Sequence, residues 1–293
     1  MDELQYQTNV ISDTKAWLRF PKVVSIETYS ICNARCTFCP YTSLERKKTK
    51  MPDHLIDKIL SDIESTTQSP AVFNLSRVNE PFLDKRVFDI AERISARFPT
   101  SKFIWFSNGT TINNRILDKL LAFKKTTSLN ISFNDHRKEQ YEKEMGIKYD
   151  RAISAIEQLH KCKVNGLVDF NVNLSRVGDG TSSDSDFLTF CKEQFPLFKA
   201  SVSQRFDWIG AVDTEIYSKV PEVSCSQWTK LHILANGNAA FCCIDSNGTL
   251  GLGNAYTSHV INDIYNHPEM LDLRQKLPSR TDVEKCKSCR AFA

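Results

Sequence analysis

The 293-residue chain has no stretch approaching 18 consecutive apolar residues, so no membrane-spanning helix is expected. Its first residues carry Asp2 and Glu3 and contain no unbroken apolar run, which excludes a secretory signal. A strong charge of either sign is also missing. The balance of 38 Lys and Arg against 35 Asp and Glu leaves a formal +3, too little to imply nucleic acid, and the basic run "ERKKTK" at 45–50 reads as a solvated loop face. Internal repeats and low-complexity segments are absent, and the 6 histidines form no HxH or HxxxH set. With 41% hydrophobic and 25% charged residues, the composition is that of an ordinary globular protein. A cytoplasmic protein with no membrane or nucleic-acid partner is expected. What the chain does have is 10 cysteines. In a reducing compartment clustered cysteines hold metal more often than they form disulfides.

Six β-branched or aromatic runs, at 23–28, 72–76, 102–106, 128–133, 167–174 and 200–209, predict strands. Between them "DHLIDKILSDIES", with a candidate cap at Asp53, "RVFDIAERISARF", "NRILDKLLAF", "YDRAISAIEQLHKC" and, less clearly, "SDFLTFCKEQF" have helical spacing. This alternation predicts βαβ units and a parallel sheet. Six units suit a partial (β/α)6 TIM-like barrel, although composition alone does not separate that from a doubly wound sheet. After Trp208 the rhythm breaks. Residues 225–293 read as a strand pair turning at Asn236-Gly237, a Gly-rich loop, one amphipathic helix "INDIYNHPEMLDLRQKL", and a closing "CKSC". The expected division is an N-terminal extension at 1–22, an α/β core at 23–215, and a small domain at 216–293 with too little apolar content to hold itself together without metal.

Cys32, Cys36 and Cys39 follow the first strand as "CNARCTFC". Random placement of the cysteines would give roughly 0.01 such triplets, so the spacing needs a cause. The loop lies at the carboxyl end of the sheet, where α/β folds place their chemistry. Three thiolates can hold three irons of a 4Fe-4S cluster and leave the fourth open; a zinc loop completed by a distant residue is the alternative.

The pattern CxxxCxxC with an aromatic, Phe38, before the last cysteine resembles the radical S-adenosylmethionine (radical SAM) enzymes. In that family the open iron chelates the methionine moiety, and cleavage of the sulfonium gives a 5′-deoxyadenosyl radical that abstracts a substrate hydrogen. Later strand ends match too. "NEP" at Asn79, Glu80 and Pro81 resembles the family's GGEP, with Val78 and Asn79 in place of the two glycines. "SNG" at Ser107, Asn108 and Gly109 resembles its TNG, and Ser132 and Arg176 fall where the family contacts the ribose and the carboxylate. The resemblance also implies an external electron donor such as flavodoxin or ferredoxin.

Cys225, Cys242, Cys286 and Cys289 make a second set. CxxC with two partners suits zinc as well as a closed cluster. Cys225, Gly237 and Cys242 form C-x11-G-x4-C, which resembles the start of a SPASM domain, and the early stop after Cys289 resembles its shorter twitch form with one auxiliary cluster. Two 4Fe-4S clusters and S-adenosylmethionine are therefore the implied cofactors. Cys162 and Cys191 read as packed small hydrophobes. Cys243, beside a ligand, is a candidate hydrogen-atom donor.

A substrate radical can lose an electron and a proton, regain a hydrogen atom, or couple to another atom. An auxiliary cluster favours the first. The 22 residues before the first strand are too few for a leader-binding domain, so the expected substrate is a small sugar, aminocyclitol or nucleotide-sugar oxidised at a secondary alcohol. Epimerisation through Cys243 comes next, then modification of a short peptide. An iron-sulfur or zinc electron carrier is the non-enzymatic alternative.

Overall fold

The computed structural model describes residues 3–213 and 219–290. Strands form at all six predicted places: β1 (Val23–Ile26), β2 (Val72–Asn74), β3 (Lys102–Ser107), β4 (Thr126–Ser132), β5 (Asn171–Val177) and β6 (Lys199–Ser203). β5 starts later than predicted, because Gly166, at φ 71°, ends the preceding helix and leaves Leu167 exposed. An unpredicted α1 (Glu3–Ala16) precedes them. Helices α2 (Asp53–Glu64), α3 (Val87–Arg97), α4 (Asn114–Ala122), α5 (Lys138–Met145), α6 (Tyr149–Val164) and α7 (Ser182–Gln194) lie between them. The face read from "DHLIDKILSDIES" is the buried one: Leu55, Ile56, Ile59, Leu60 and Ile63 all enter the core, each contributing roughly 1.5–3 kcal/mol. Asp53 is not the cap. Pro52 holds that position, and Asp53, in the first turn, pairs with Arg86 at 3.0 Å and Arg93 at 2.9 Å.

The sheet runs β6-β5-β4-β3-β2-β1-β7-β8, where β7 is Lys230–Ile233 and β8 is Ala239–Ala240. Every pairing is parallel except β7 with β8. The sheet is not closed, and the architecture is an α/β partial TIM-like barrel. The C-terminal hairpin is thus part of this sheet: Val23 pairs with Lys230 and Ile26 with Ile233. One apolar core includes Val24, Phe73 and Trp105 together with Trp228, Leu231 and Ile264, so the C-terminal segment shares its cohesion with the barrel rather than depending on metal alone. The predicted boundary at 215/216 lies outside the described residues. The single predicted C-terminal helix is two elements, a π-helical turn Val260–Tyr265 and α8 (Pro268–Lys276), because Pro268 has no N–H with which to continue the first.

Alternation along the strands separates two faces. Val24, Phe73, Phe103, Trp105, Leu129, Ile131, Val172 and Leu174 turn to the helices, where Trp105 meets Phe88 at 5.5 Å and Phe103 meets Phe123 at 5.0 Å. The register puts Ser25 with Asn74 and His232, Phe106 with Asn130 and Asn173, and Ser132 with Ser175 and Ser201, all on the opposite, inner face. Parallel sheets covered on both faces normally read as unbroken apolar runs. Here the inner face is largely polar, although Phe106, Ile104, Val23 and Val72 share it.

Candidate active site

The first cysteine loop is held from several sides. The backbone N–H of Glu80 donates to Ile31 O at 2.8 Å, that of Arg35 to Met145 O at 2.9 Å and that of Thr37 to Glu144 O at 2.9 Å. Inside the loop, Asn33 donates to Thr110 Oγ1 at 2.9 Å and accepts from Asn108 Nδ2 at 2.8 Å. Gly146 closes α5 at φ +64°, and a Cβ there would stand 3.0 Å from the Cβ of Arg35. α5 is therefore a clamp on the cysteine loop that the sequence analysis missed. Its residues "KEQYEKEM" are almost all polar, and the one available signal was Gly146 after a charged run.

Burial pushes the Cys32 thiol up to about 12 and Cys39 to about 11, and raises Cys36 well above its usual value. The negative charge of each neighbour raises Cys32 and Cys36 further. Three half-buried thiols that resist ionisation in one neighbourhood suit a metal-bearing group, whose positive charge stabilises the thiolates. Phe38 is buried in this loop, and its carbonyl accepts from Trp208 Nε1 at 3.0 Å.

The strand ends below come together, but not all their groups face a ligand. The Glu80 carboxylate accepts from Ser107 Oγ at 2.9 Å, Thr111 Oγ1 at 2.9 Å and the Asn108 N–H at 2.8 Å. Its desolvation raises its pKa despite these bonds. Glu80 and Ser107 therefore brace the ends of β2 and β3 against each other. Asn79 accepts from the Arg77 N–H at 2.6 Å, while its buried Nδ2 has no partner among the described residues and is available to one. Glu80→Gln replaces one acceptor oxygen with an amide and strands a donor or acceptor in the network. We expect a loss of about 1–3 kcal/mol in denaturant unfolding.

Ser132 lies at the end of β4 on the inner face, beside Ser175. Arg176 corrects the sequence-based expectation. It shares the phase of Val172 and Leu174 and turns to the helix side, where it is 1% exposed. There it binds Asp135 at 3.0 Å, Asp179 at 2.6 Å and Asp184 at 2.7 Å. With three carboxylates on its guanidinium, it is not placed to meet a cofactor carboxylate.

The second cysteine set gathers around the base of β7. Cys225 precedes the 3-10 turn Ser226–Thr229 that leads into β7, Cys242 follows β8, and the Cys289 N–H donates to Cys286 O at 2.8 Å. Burial raises Cys225 and Cys242 and takes Cys286 to about 12 and Cys243 to about 11, with Cys225 and Cys289 acting on the other three. α1 braces this region. The Ser226 N–H donates to Tyr6 Oη at 3.1 Å, the Ser224 N–H donates to Gln7 Oε1 at 2.9 Å, and the Arg280 guanidinium lies 5.7 Å from the Tyr6 ring. Among the described residues no three His, Cys, Asp or Glu side chains crowd around one metal-ion position. A cluster makes no such demand, since each thiolate takes a different iron. Of the remaining cysteines, Cys191 is buried and Cys162 half-buried, both against the core, as expected.

Residues 77–80 join the two sets. Val78 belongs, with Tyr41 and Leu44, to the apolar cluster against which Cys32 and Cys39 pack, while Arg77 Nη2 donates to Cys243 O at 2.6 Å and Cys242 O at 3.3 Å.

The family model of the Radical SAM superfamily matches residues 26–188. The chain belongs to that superfamily. A second model, SPASM, the iron-sulfur cluster-binding domain, matches residues 225–290, so both cysteine sets fall in iron-sulfur regions of this radical SAM enzyme. No curated protein matches the chain. Solved structures do. BtrN in complex with AdoMet and 2-DOIA aligns with TM-score 0.60 and 17% identity over 93% of this chain and 94% of that one. Streptococcus suis SuiB bound to precursor peptide SuiA gives 0.69 and 14% over 98% and 74%. Native anSMEcpe with bound AdoMet gives 0.66 and 14% over 92% and 86%. At such identities the likeness is one of fold.

His232 is the inner-face residue that no motif marks. It is 2% exposed, and neither ring nitrogen has a partner among the described residues. Desolvation, then Arg77 and Lys230, hold its pKa well below the usual value, so the ring is neutral, with one donor and one acceptor nitrogen. Among the described residues no helix is long and apolar enough to cross a membrane.

Proposed function

We propose that this radical SAM enzyme oxidises a secondary alcohol of a small polyhydroxylated substrate, a sugar, aminocyclitol or nucleotide-sugar, held against the inner face of the barrel. The observation that carries this is the chemistry of that face. Barrel interiors are ordinarily filled by branched apolar side chains. Here Ser25, Asn74, Asn130, Asn173, Ser201 and His232 occupy inner positions, and Asn173 already donates to Ser201 Oγ at 2.9 Å. Amides and hydroxyls give and accept hydrogen bonds without charge, which suits several hydroxyl groups at once.

In this proposal Cys32, Cys36 and Cys39 hold the reactive cluster, and Cys225, Cys242, Cys286 and Cys289 the auxiliary one. The Asn79 amide and Ser132 face S-adenosylmethionine, while Phe38, Glu80, Ser107 and Asn108 keep the loop above it in shape. When bound, S-adenosylmethionine and the reactive cluster supply a carbon radical able to take a substrate hydrogen. The inner amides and hydroxyls fix which C–H bond faces it, and His232 accepts or donates at a substrate hydroxyl. An outside reductant of the flavodoxin or ferredoxin kind completes the proposal.

Epimerisation stands second, favoured by the position of Cys243, whose carbonyl is held by Arg77. Peptide modification stands third; SuiB is described with a precursor peptide. Turnover in heavy water separates the first two. Oxidation gives a product lighter by a pair of hydrogens and free of solvent deuterium, whereas epimerisation gives a product of unchanged composition carrying one solvent-derived deuterium. Cys243→Ala is expected to leave oxidation intact; loss of turnover with solvent deuterium in the wild-type product would instead establish the thiol as donor.

A further inference from the structure

Apart from the cysteines themselves, the charged groups that act on the second cysteine set are cationic. Arg280 and Lys230 act on Cys225, Arg77 and Lys230 on Cys243, and Arg280 on Cys286. The first set differs, with Glu80 and Arg35 acting on Cys32, and Glu144 on Cys36.

Arg77 reaches the second set directly, through its bonds to Cys243 O and Cys242 O, and its Nε is buried with no partner among the described residues. The carboxylate nearest to it in effect, Glu27, is already taken. It pairs with Arg46 and accepts from the Ala235 N–H at 3.0 Å. Lys230, at the start of β7, has no ion pair among the described residues, and burial lowers its pKa. Two half-buried cations without carboxylates of their own are stabilised by another anion beside them. A 4Fe-4S centre with four thiolates is such an anion, with a net charge of about −2 before reduction and about −3 after. Because reduction adds negative charge in an enclosed site, neighbouring cations favour the reduced form.

We propose that Arg77 and Lys230 form a cationic collar that raises the reduction potential of the cluster held by Cys225, Cys242, Cys286 and Cys289, so that it can take the electron a substrate radical gives up. The collar rests on the reading that this set holds an auxiliary cluster, and it gives that cluster the part of acceptor.

The test uses the full chain with Cys32, Cys36 and Cys39 replaced by alanine, leaving the C-terminal set as the one cluster site. After anaerobic reconstitution, the potential is measured by redox titration followed by electron paramagnetic resonance. Arg77→Gln and Lys230→Gln are each expected to shift the potential to more negative values, and the double variant further. Arg77→Lys, which keeps the charge, is expected to stay near the parent. Unchanged or more positive potentials in both Gln variants, at about four irons per chain, would overturn the collar while leaving the cluster in place. No iron in the parent would instead remove the auxiliary cluster itself, and the collar with it.

Discussion

Replacing Cys32, Cys36 and Cys39 together with alanine is expected to lower iron and labile sulfide from about eight to about four per chain and to abolish reductive cleavage of S-adenosylmethionine. The geometry makes the effect local. The loop is held by backbone bonds to Ile31, Glu144 and Met145 and by the Asn33 and Asn108 amides, none of which involves a cysteine side chain. Losing the thiols removes ligands without removing these supports. The complementary variant, Cys286→Ala with Cys289→Ala, is expected to retain about four irons and to go on releasing 5′-deoxyadenosine under reducing, anaerobic conditions. An electron carrier would release none in any form. Iron falling from about four to near zero in the triple variant, with about one zinc per chain, would make the C-terminal site structural. Oxidation would then have no electron acceptor, and a redox-neutral epimerisation would take precedence.

How far the sequence could be read depends on the range of the interactions concerned. The cysteine spacings and the six β-branched runs are local signals; the first led to the right superfamily and the second to the right strands. The pairing of β7 with β1 joins residues some two hundred positions apart, and no local pattern encodes it. The C-terminal segment, which the second family model matches as a domain, therefore also extends the sheet of the barrel. Strand phase is a second limit. Arg176 sits at the strand end where a ligand contact was expected, but a shift of one residue decides which face it takes, and its phase follows Val172 and Leu174. His232 was invisible for the opposite reason. A lone histidine has no spacing partner, and its significance comes from two nitrogens without a partner among the described residues, on a face whose polarity emerges only when eight strands are assembled. The break before Pro268, by contrast, was present in the sequence and was overridden by the apolar spacing around it.

Arg176→Met is expected to be among the most destabilising single changes in the barrel, although the residue touches no cofactor. Its guanidinium is met by Asp135, Asp179 and Asp184, and Asp135 is itself 1% exposed. Removing the cation leaves Asp135 with Arg137 alone and leaves Asp184, which also accepts from the Asp179 and Gly180 N–H groups, without its ion pair. Breaking a buried pair from one side costs about 3–5 kcal/mol, which for a chain of this size lowers Tm by more than about 5 °C. Burial works against a charged Asp135, but its bonds to Arg137 and the charges of Arg137 and Arg176 outweigh that and hold its pKa below the usual value. The stability it adds is therefore present above the unfolded pKa and lost as pH falls through the folded one. The variant should flatten that acid limb, because part of what lowers the pKa is gone. Near-neutral Tm, acid unfolding and S-adenosylmethionine binding measured on folded protein then separate two roles for Arg176. A large drop in Tm with binding retained fits an arginine locked among carboxylates on the helix side of the sheet. Retained Tm with lost binding would mean that the side chain leaves its three partners to meet the cofactor.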